Sequence, residues 1–480
     1  MDVVTRNTVN NPHVIFVPFP AQSHIKCMLK LAKLLHHKGF HITFVNTQSN
    51  HNRLVKSGAT RWLNDTPGFE FKTVSDGVPD DSGEHTSNIL EIWLYLEQNF
   101  LNSFLDLVSG LETRVTCIIC DAYMTYTNTV YAAEKLKVPI ILFWTTAACG
   151  FMGVYQTKVL KDKGILPLKD ESYVTNGFLD MKIDWIPGME HTRLKDLPDV
   201  IFTADPNCIS LKYYLKMAQE VDKVSHMIIN TFQELEASLV KEIRSIVPNI
   251  YTVGPLQLLL NKVTEKETYF SSYSLWNEEP ECVKWLQSKE PNSVLYVNFG
   301  SLVVMSPEDL VELGWGLVNS NHEFLWIIRN DSVNGKPAVF SQELEKAINK
   351  KGFIASWCSQ EEVLNHPSVG GFLTHGGWGS TIESLSAGVP MICCPFTVDQ
   401  LTNCRQMCKE WEVGMEIERN IKRDEVEKLV RILMDEEEGV RMRKKALEWK
   451  KKAEIATDFN GSSSLNTEKL VNEIIKLSRK

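Results

Sequence analysis

Residues 357–400 read WCSQEEVLNHPSVGGFLTHGGWGSTIESLSAGVPMICCPFTVDQ, and this stretch decides the fold. An apolar run over residues 369–374 predicts a strand, the turn HGGWGS follows it, and a helical pattern begins directly afterwards. Glycine-rich turns bring backbone N–H groups close to an anion, and a helix N-terminus adds about half a positive charge. The stretch is therefore typical of a phosphate-binding strand–turn–helix unit.

Ser380 begins a second pattern inside the same stretch. Ser380-Thr381-Ile382-Glu383 matches the S-x-x-E capping box, in which a serine side chain accepts a hydrogen bond from the N–H three residues later. The pattern predicts a helix start at Ser380. It leaves two interpretations of Ser380 and Glu383 open, namely helix capping alone or ligand binding.

A strand–helix alternation surrounds this unit on both sides. In the first half, strands are predicted over residues 13–19, 41–46, 69–74, 116–120 and 140–144. In the second half, they are predicted over residues 294–299, 324–328, 352–355, 369–374 and 391–393. Because such alternation forms parallel sheets through right-handed crossovers, we expect an α/β protein with two doubly wound, Rossmann-like domains facing a cleft.

Breaks in the alternation predict the domain boundaries. Residues 1–255 form the predicted N-terminal domain and residues 281–458 the C-terminal domain. Residues 256–280 are the predicted linker, since most of them are polar and show no periodicity. An amphipathic helix over residues 459–480 is expected to pack back on the N-terminal domain.

Composition narrows the partners and the compartment. The net charge of -9 argues against nucleic acid or an anionic membrane as the main partner, and the basic run over residues 441–452 is typical of a solvated helix face. Residues 138–155 carry no charge, but Pro139 and several small residues favour a buried strand followed by a helix over an integral membrane span. Eleven scattered cysteines and a polar N-terminus predict a cytoplasmic protein.

Two residues of the first half are candidates for proton transfer. His24 lies in the turn after the first predicted strand, and imidazole side chains change protonation near neutral pH. Asp121 ends the apolar run over residues 116–120, so both side chains are expected at the carboxyl edge of one sheet. A carboxylate in contact with the imidazole would orient it and stabilise its cation. Ordinary roles near a helix start remain open for both residues.

Several other chemistries lack their sequence patterns. The chain has no phosphate-loop lysine motif, no G-x-S-x-G and no dinucleotide fingerprint after either first strand. Asp80, Asp81 and His85 are a weak basis for a metal site, and we expect no metal. A phosphate would instead be neutralised by N–H groups, by His375 and by the helix end.

The signature over residues 357–400 resembles the donor-binding signature of plant UDP-dependent glycosyltransferases, the inverting family 1 with the GT-B fold. The likeness extends over the whole chain, and the signature begins with Trp357 and ends with the pair Asp399–Gln400. It implies UDP-glucose as a co-substrate without a further cofactor. It also implies a small apolar alcohol as the acceptor, and a monomer is expected.

The resemblance also implies roles for individual residues. Trp357 would stack on uracil, Cys358 would meet uracil through its backbone, and Gln360 and Glu383 would hold the ribose. The diphosphate would bind to Ser301, His375, Gly379 and Ser380. The sugar would contact Thr145, Trp378, Asp399 and Gln400. His24 and Asp121 match the catalytic pair: His24 would deprotonate the acceptor hydroxyl as it attacks the anomeric carbon opposite UDP, with inversion.

Residues 18–26 (PFPAQSHIK) and 147–153 (AACGFMG) are similar to the branch that glucosylates steviol and other small terpenoid or cyanohydrin alcohols. The implied product is a β-O-glucoside. The 13-hydroxyl of steviol is the first candidate acceptor, and a cyanohydrin, monoterpenol, cytokinin or flavonoid is the alternative. A nucleotide-sugar epimerase or hydrolase and a non-catalytic UDP-sugar binder remain open as other classes.

Three positions depart from the family pattern. Gly376 and Gly379 stand where the family usually has Cys and Asn, and Cys394 stands where many members have Trp. The sequence therefore leaves the donor affinity and the sugar preference open.

Overall fold

The strands of this protein are short and mostly buried. The computed structural model describes residues 11–60, 66–76, 89–263, 274–330, 337–418 and 420–478. Within them the strands are β1 (His13–Val17), β2 (His41–Thr47), β3 (Phe69–Val74), β4 (Cys117–Asp121), β5 (Ile140–Trp144), β6 (Lys182–Ile183), β7 (Thr192–Arg193), β8 (His226–Ile229), β9 (Asn249–Thr252), β10 (Val294–Asn298), β11 (Glu323–Ile327), β12 (Gly352–Ala355), β13 (Val369–Thr374), β14 (Met391–Cys393) and β15 (Gly414–Glu416).

Helices connect most of these strands. They are α1 (Gln22–His37), α2 (Gln48–Lys56), α3 (Ile89–Ser109), α4 (Thr129–Leu136), α5 (Ala148–Tyr155), α6 (Thr157–Asp162), α7 (Ile209–Val221), α8 (Ala237–Ile243), α9 (Leu256–Asn261), α10 (Glu281–Leu286), α11 (Pro307–Asn319), α12 (Gln342–Lys351), α13 (Gln360–Leu364), α14 (Trp378–Ala387), α15 (Gln400–Arg405), α16 (Arg423–Asp435), α17 (Glu437–Thr457) and α18 (Ser462–Ser478).

The first sheet is parallel and has the order β3-β2-β1-β4-β5-β8-β9. Both of its faces are covered, because Val14 and Phe16 of β1 lie in one apolar core while Ile15 and Val17 lie in the other. This double burial explains why its central strands are continuously apolar.

The second sheet is also parallel, with the order β12-β11-β10-β13-β14-β15. In both sheets the strand order reverses at one pair of neighbours, which is β1 and β4 in the first sheet and β10 and β13 in the second. Ligands of doubly wound sheets bind at such switch points, at the carboxyl ends of the strands. The predicted α/β architecture of two Rossmann-like domains is confirmed.

Five of the predicted strands have the predicted bounds in the structure. They are the strands over residues 69–74, 140–144, 352–355, 369–374 and 391–393. The strands β8, β9 and β15 and the antiparallel pair β6–β7 were not predicted. They have two to four residues each, and so short a strand shows little periodicity, although β12 and β14 are as short and were predicted.

The segment between the sheets is more ordered than its polar composition indicates. The predicted linker begins with helix α9, and Leu256, Leu259 and Leu260 of this helix are buried against the first sheet. Residues 264–273 of the linker lie outside the described residues. The final helix α18 places Leu470 and Ile474 in the same core.

The uncharged segment over residues 138–155 forms strand β5 followed by helix α5, as predicted. Both elements are buried almost throughout. Among the described residues there is no helix whose length and apolar character would allow it to cross a membrane.

Candidate active site

A cleft lies where the switch points of the two sheets face each other. Its lining comes from the turns after β1, β4, β5 and β8 of the first sheet and after β10, β12 and β13 of the second. All the site residues predicted from the sequence line this cleft except Asp121, which is fully buried behind His24.

The turn after β1 and the end of β4 bring His24 and Asp121 together. His24 lies in the first turn of α1, and its Nδ1 is 2.7 Å from Oδ2 of Asp121. The other carboxylate oxygen of Asp121 accepts a hydrogen bond from the N–H of Tyr123 at 3.0 Å, capping the 3-10 turn Ala122–Thr127. The capping role and the contact with histidine are therefore both present.

The surroundings of His24 define which ring nitrogen is available. Because a carboxylate only accepts, Nδ1 carries the proton that faces Asp121, and Nε2 is left to accept a proton. The hydroxyl of Thr145 lies 2.9 Å from Nδ1 and donates to Asp121 Oδ2 at 3.4 Å. The ring of Tyr123 packs edge-on against the imidazole, with centroids 5.0 Å apart. His24 is thus oriented as a base inside an aromatic wall.

Helix α14 begins earlier than the capping box predicts. Gly377 is its N-cap residue and makes no side-chain hydrogen bond to the helix, so the prediction of a start at Ser380 was wrong. Ser380 is the third helical residue, and its hydroxyl accepts from Gln360 Nε2 at 3.1 Å. The physical reason is that Gly377 has an extended backbone and acts as the N-cap, so the helix begins at Trp378, two residues before Ser380. The first N–H groups of a helix have no intrahelical partner. Those of helix α14 lie at the cleft, where an anion can accept hydrogen bonds from them.

His375 packs against the two glycines that flank it in space. A Cβ at Gly300 would lie 2.6 Å from the imidazole, and one at Gly377 would lie 2.4 Å from it, so both positions require glycine. Burial and, to a smaller extent, the charge of Arg329 lower the pKa of His375 to about 4. His375 is therefore neutral at physiological pH. If His375 contacts a phosphate, as the sequence predicts, it does so as a neutral hydrogen-bonding ring, because burial disfavours the imidazolium ion.

Basic side chains that the signature does not contain reach the cleft from elsewhere. Lys26 and Lys30 of helix α1 line the cleft. Arg329, which is 4% exposed, does not line it but donates to the carbonyl of the cleft-lining Gly300 at 2.5 Å. The two lysines follow His24 one helical turn apart, and that spacing was the signal available in the sequence.

The end of the cleft predicted for uracil contains a second indole. Trp357 stacks on Trp276 with ring centroids 4.7 Å apart and planes inclined by 29°. The guanidinium of Arg53 lies over the ring of Trp276, 4.3 Å from the ring centre. Trp276 falls in the predicted linker, so sequence reasoning missed it; a tryptophan in a polar segment was the only signal.

Cys358 and Gln360 are held by the end of β10. The thiol of Cys358 lies 3.3 Å from the hydroxyl of Tyr296. The amide oxygen of Gln360 accepts from Asn298 Nδ2 at 3.0 Å, and its nitrogen donates to Glu383 Oε2 at 2.9 Å. Gln360 and Glu383 are therefore fixed side by side. Ser301 lines the cleft in the loop that follows β10.

The end of the cleft that is predicted to bind the sugar contains Asp399 and Gln400, the acidic and the amide side chain that end the signature. Burial raises the pKa of Asp399 to about 6 although Asn403 donates to its carboxylate at 3.1 Å. Gln400 uses its amide oxygen to accept the N–H groups of Phe396 and Thr397 at 2.8 and 3.1 Å.

Two neighbouring contacts join the domains at this end. The indole N–H of Trp378 donates to the carbonyl of Asn230, after β8, at 2.7 Å. Val398 has a φ of 55°, a left-handed conformation that costs a β-branched residue on the order of 1–3 kcal/mol. Its carbonyl accepts from the N–H of Asp199 at 3.3 Å, which helps to hold the strained residue in place.

The three departures from the family pattern have different structural settings. Gly376 has a φ of 77°, and a Cβ there would lie 2.6 Å from Cys393 Sγ, so this backbone requires glycine. At Gly379 a Cβ would meet only Ser23, at 3.6 Å, so a larger residue has room. Cys394 is buried in the core of the second sheet.

The residues considered for a metal in the sequence, Asp80, Asp81 and His85, lie outside the described residues. Within the described part of the chain, His13, His41 and Glu70 lie close enough to hold a metal ion. Thr43 bridges His13 and Glu70 by hydrogen bonds of 2.8 and 2.9 Å, and Thr113 lies 2.9 Å from the other nitrogen of His13. The group is thus already satisfied by a hydrogen-bond chain and lies at the amino edge of the sheet, away from the cleft.

Comparison with known proteins agrees with this geometry. Residues 15–445 match the family described as UDP-glucoronosyl and UDP-glucosyl transferase. The chain is 67% identical to UDP-glycosyltransferase 85C1 of Stevia rebaudiana over 100% of both chains. It is 49% identical to 7-deoxyloganetin glucosyltransferase of Catharanthus roseus over 96% of both chains.

A solved structure shows the same architecture. UDP-glucose: anthocyanidin 3-O-glucosyltransferase in complex with UDP superimposes with a TM-score of 0.80 at 27% identity, over 97% of this chain and 99% of that chain. The GT-B fold expected from the sequence is confirmed.

Proposed function

Because the chain belongs to the UDP-glucoronosyl and UDP-glucosyl transferase family, it is a UDP-glycosyltransferase that uses a UDP-sugar and a small-molecule acceptor, and we propose that it transfers glucose with inversion to a hydroxyl of a small apolar plant metabolite. The observation that carries this proposal is the position of His24. His24 and Gly379, which lies in the first turn of helix α14, line the same cleft, and Ser23, the neighbour of His24, lies close to Gly379.

The proposed mechanism begins with the acceptor. Its hydroxyl donates to Nε2 of His24, which removes the proton as the oxygen attacks the anomeric carbon. Asp121 holds Nδ1–H at 2.7 Å and stabilises the imidazolium that forms. Base catalysis of this kind contributes about 10² to 10⁴ in rate. UDP leaves from the opposite face, so the anomeric configuration inverts and a β-O-glucoside forms.

The leaving group is stabilised on the other side of the cleft. The N–H groups of α14 and the side chains of Ser301 and Ser380 are preorganised for the diphosphate, whose charge grows in the transition state. Trp357 is proposed to stack on uracil, with Cys358 meeting the base through its backbone, and Gln360 with Glu383 to hold the ribose. We expect this arrangement to work without a metal.

The sugar and the acceptor occupy the middle of the cleft in this proposal. Thr145, Trp378, Asp399 and Gln400 are proposed to contact glucose. The edge-on ring of Tyr123 beside His24 favours an apolar acceptor. Steviol, through its 13-hydroxyl, is our first candidate, and another terpenoid alcohol, a cyanohydrin, a cytokinin or a flavonoid is the alternative. The relative named for 7-deoxyloganetin supports a small acceptor of this type.

We propose a cytosolic location and a monomer. None of the eleven cysteines, all of which belong to the described residues, forms a disulfide bond, and nine of them are buried, which suits a reducing compartment.

The proposal is tested by offering UDP-glucose with a mixed panel of diterpenols, monoterpenols, cyanohydrins, flavonols and cytokinins. We expect one acceptor class to gain the mass of one hexose, with a β-linkage shown by the anomeric proton coupling. An α-linkage would contradict inversion. Rapid release of free glucose without an acceptor would favour a hydrolase, and donor binding without any product would favour a binding protein.

A further inference from the structure

Four charged side chains form an ionic cluster across the cleft. Lys26 and Lys30 come from helix α1, while Glu361 and Glu383 come from helices α13 and α14. Lys26 Nζ lies 2.7 Å from both Glu361 and Glu383, Lys30 Nζ contacts Glu361, and its distance to Glu383 is 3.9 Å. The cluster therefore joins the helix that carries His24 to the helix that begins at the phosphate turn.

The ionic cluster lines the cleft and is partly shielded from solvent. The side chains of Lys30 and Glu383 are 5% and 6% exposed, and those of Lys26 and Glu361 are 21% and 18% exposed. Burial alone would lower the pKa of Lys26, but the charges of Glu361 and Glu383 outweigh it and raise this pKa. Burial would likewise raise the pKa of Glu361, but Lys26 and Lys30 lower it. The opposite charges of the cluster thus hold Lys26 and Glu361 in their charged forms.

Glu383 is fixed from two sides. Its Oε1 accepts from Lys26 at 2.7 Å, and its Oε2 accepts from Gln360 Nε2 at 2.9 Å. Gln360 is itself held by Asn298. A carboxylate oxygen can accept more than one hydrogen bond, so Glu383 can also accept from two adjacent hydroxyls while Lys26 and Gln360 remain bound to it.

We propose that Lys26 is a positioning residue for the donor: it acts through Glu383, holding this carboxylate in the orientation that receives the ribose hydroxyls of the UDP-sugar. The inference rests on the proposed function, since Glu383 is the proposed ribose ligand. If Lys26 served only to link the domains, its contact with Oε1 of Glu383 would be unexplained, because Oε2 of this cleft-lining carboxylate already accepts from Gln360. Because Lys26 and His24 belong to the same helix, the contact of Lys26 with Glu383 links the proposed ribose ligand to the helix that positions the base.

Removal of the ammonium group should affect donor binding rather than chemistry. In Lys26→Met, Oε1 of Glu383 loses its donor, and the carboxylate is drawn toward Lys30 at 3.9 Å. The ribose is remote from the reacting bond. We therefore expect the KM for UDP-glucose to rise about tenfold and kcat to stay within about threefold. Lys26→Arg keeps the charge and should recover most of the wild-type KM.

A second lysine of the same helix provides the control. Lys38 at the end of α1 pairs with Glu468 on the surface, and its side chain is 34% exposed. Lys38→Met removes the same charge away from the cleft and should leave the donor KM unchanged. Thermal denaturation of each variant identifies any that fail to fold, and Lys26→Arg then carries the test.

A double-mutant cycle shows whether Lys26 acts through Glu383. In a Glu383→Gln background, Lys26→Met should change the donor KM by less than about twofold. The same tenfold rise in that background, or a single Lys26→Met variant with wild-type KM, would overturn the proposal. Titration with UDP reads the same effect without turnover, so inactivity of the wild-type enzyme would count against the proposed function and leave the role of Lys26 measurable.

Discussion

Replacement of Asp399 by Asn removes a buried charge from the cleft. Asp399 is 5% exposed, and burial raises the pKa of its carboxyl from 3.8 to about 6. The carboxyl ionises near 3.8 in the unfolded chain, so folding at neutral pH must keep a charge where it is poorly solvated. A difference of about two pKa units, at about 1.4 kcal/mol each, corresponds to about 3 kcal/mol.

The sign of the pH dependence follows from proton uptake. Because the folded pKa is above the unfolded one, the folded protein binds the proton first as pH falls, and the cost of burial decreases from about pH 6 downwards. It is about 3 kcal/mol at pH 7.5 and about 1.5 kcal/mol at pH 5. Asp399→Asn should be more stable than the wild type by these amounts, since Asn403 can still donate to the new amide oxygen.

The free energy of unfolding is measured by urea denaturation at both pH values, together with glucosyl transfer at pH 7.5. Transfer should fall, because a neutral amide replaces the proposed sugar ligand. Asp458→Asn is the control, since this aspartate is 70% exposed and pairs with Lys262 on the surface. A variant no more stable than the wild type at pH 7.5, or a gain equal at the two pH values, would refute the reasoning.

Three further substitutions test the glycines and the catalytic pair. Gly379→Ala should raise the free energy of unfolding by about 0.5–1 kcal/mol, since its Cβ has room in helix α14. Gly376→Ala should lower it by about 1–3 kcal/mol, because φ is 77° and Cys393 is in the way. A lower melting temperature for Gly379→Ala, or a higher one for Gly376→Ala, would contradict the corresponding prediction. Asp121→Asn keeps the turn cap but should lower kcat about 10²- to 10⁴-fold; a kcat within tenfold would argue against its role.

The architecture could be predicted from sequence patterns because the central strands are buried on both faces and are therefore continuously apolar. Residues 369–374 form an uninterrupted uncharged run, and strand β13 has those bounds. The contact of His24 with Asp121 followed from topology, since both were predicted at the carboxyl ends of strands, and β1 pairs with β4. Parallel sheets bring such ends to one edge, so no side-chain geometry was needed.

Contacts between distant segments were not predictable in the same way. Lys26 and Glu383 are separated by 357 positions, and Trp276 reaches Trp357 from a segment without periodicity. The neutral state of His375 depends on burial by residues of several elements, which no local pattern encodes. Likewise Gly377 rather than Ser380 starts helix α14, because the backbone before the helix decides between two residues that both match start signals.

The role of His24 as the general base is tested most directly by His24→Ala, assayed for glucosyl transfer and for UDP binding by calorimetry. In the proposed mechanism the side chain contacts the acceptor and not UDP, so we expect transfer to fall at least about 10²-fold while the Kd for UDP stays within about threefold. Undiminished turnover by His24→Ala would contradict base catalysis by this residue.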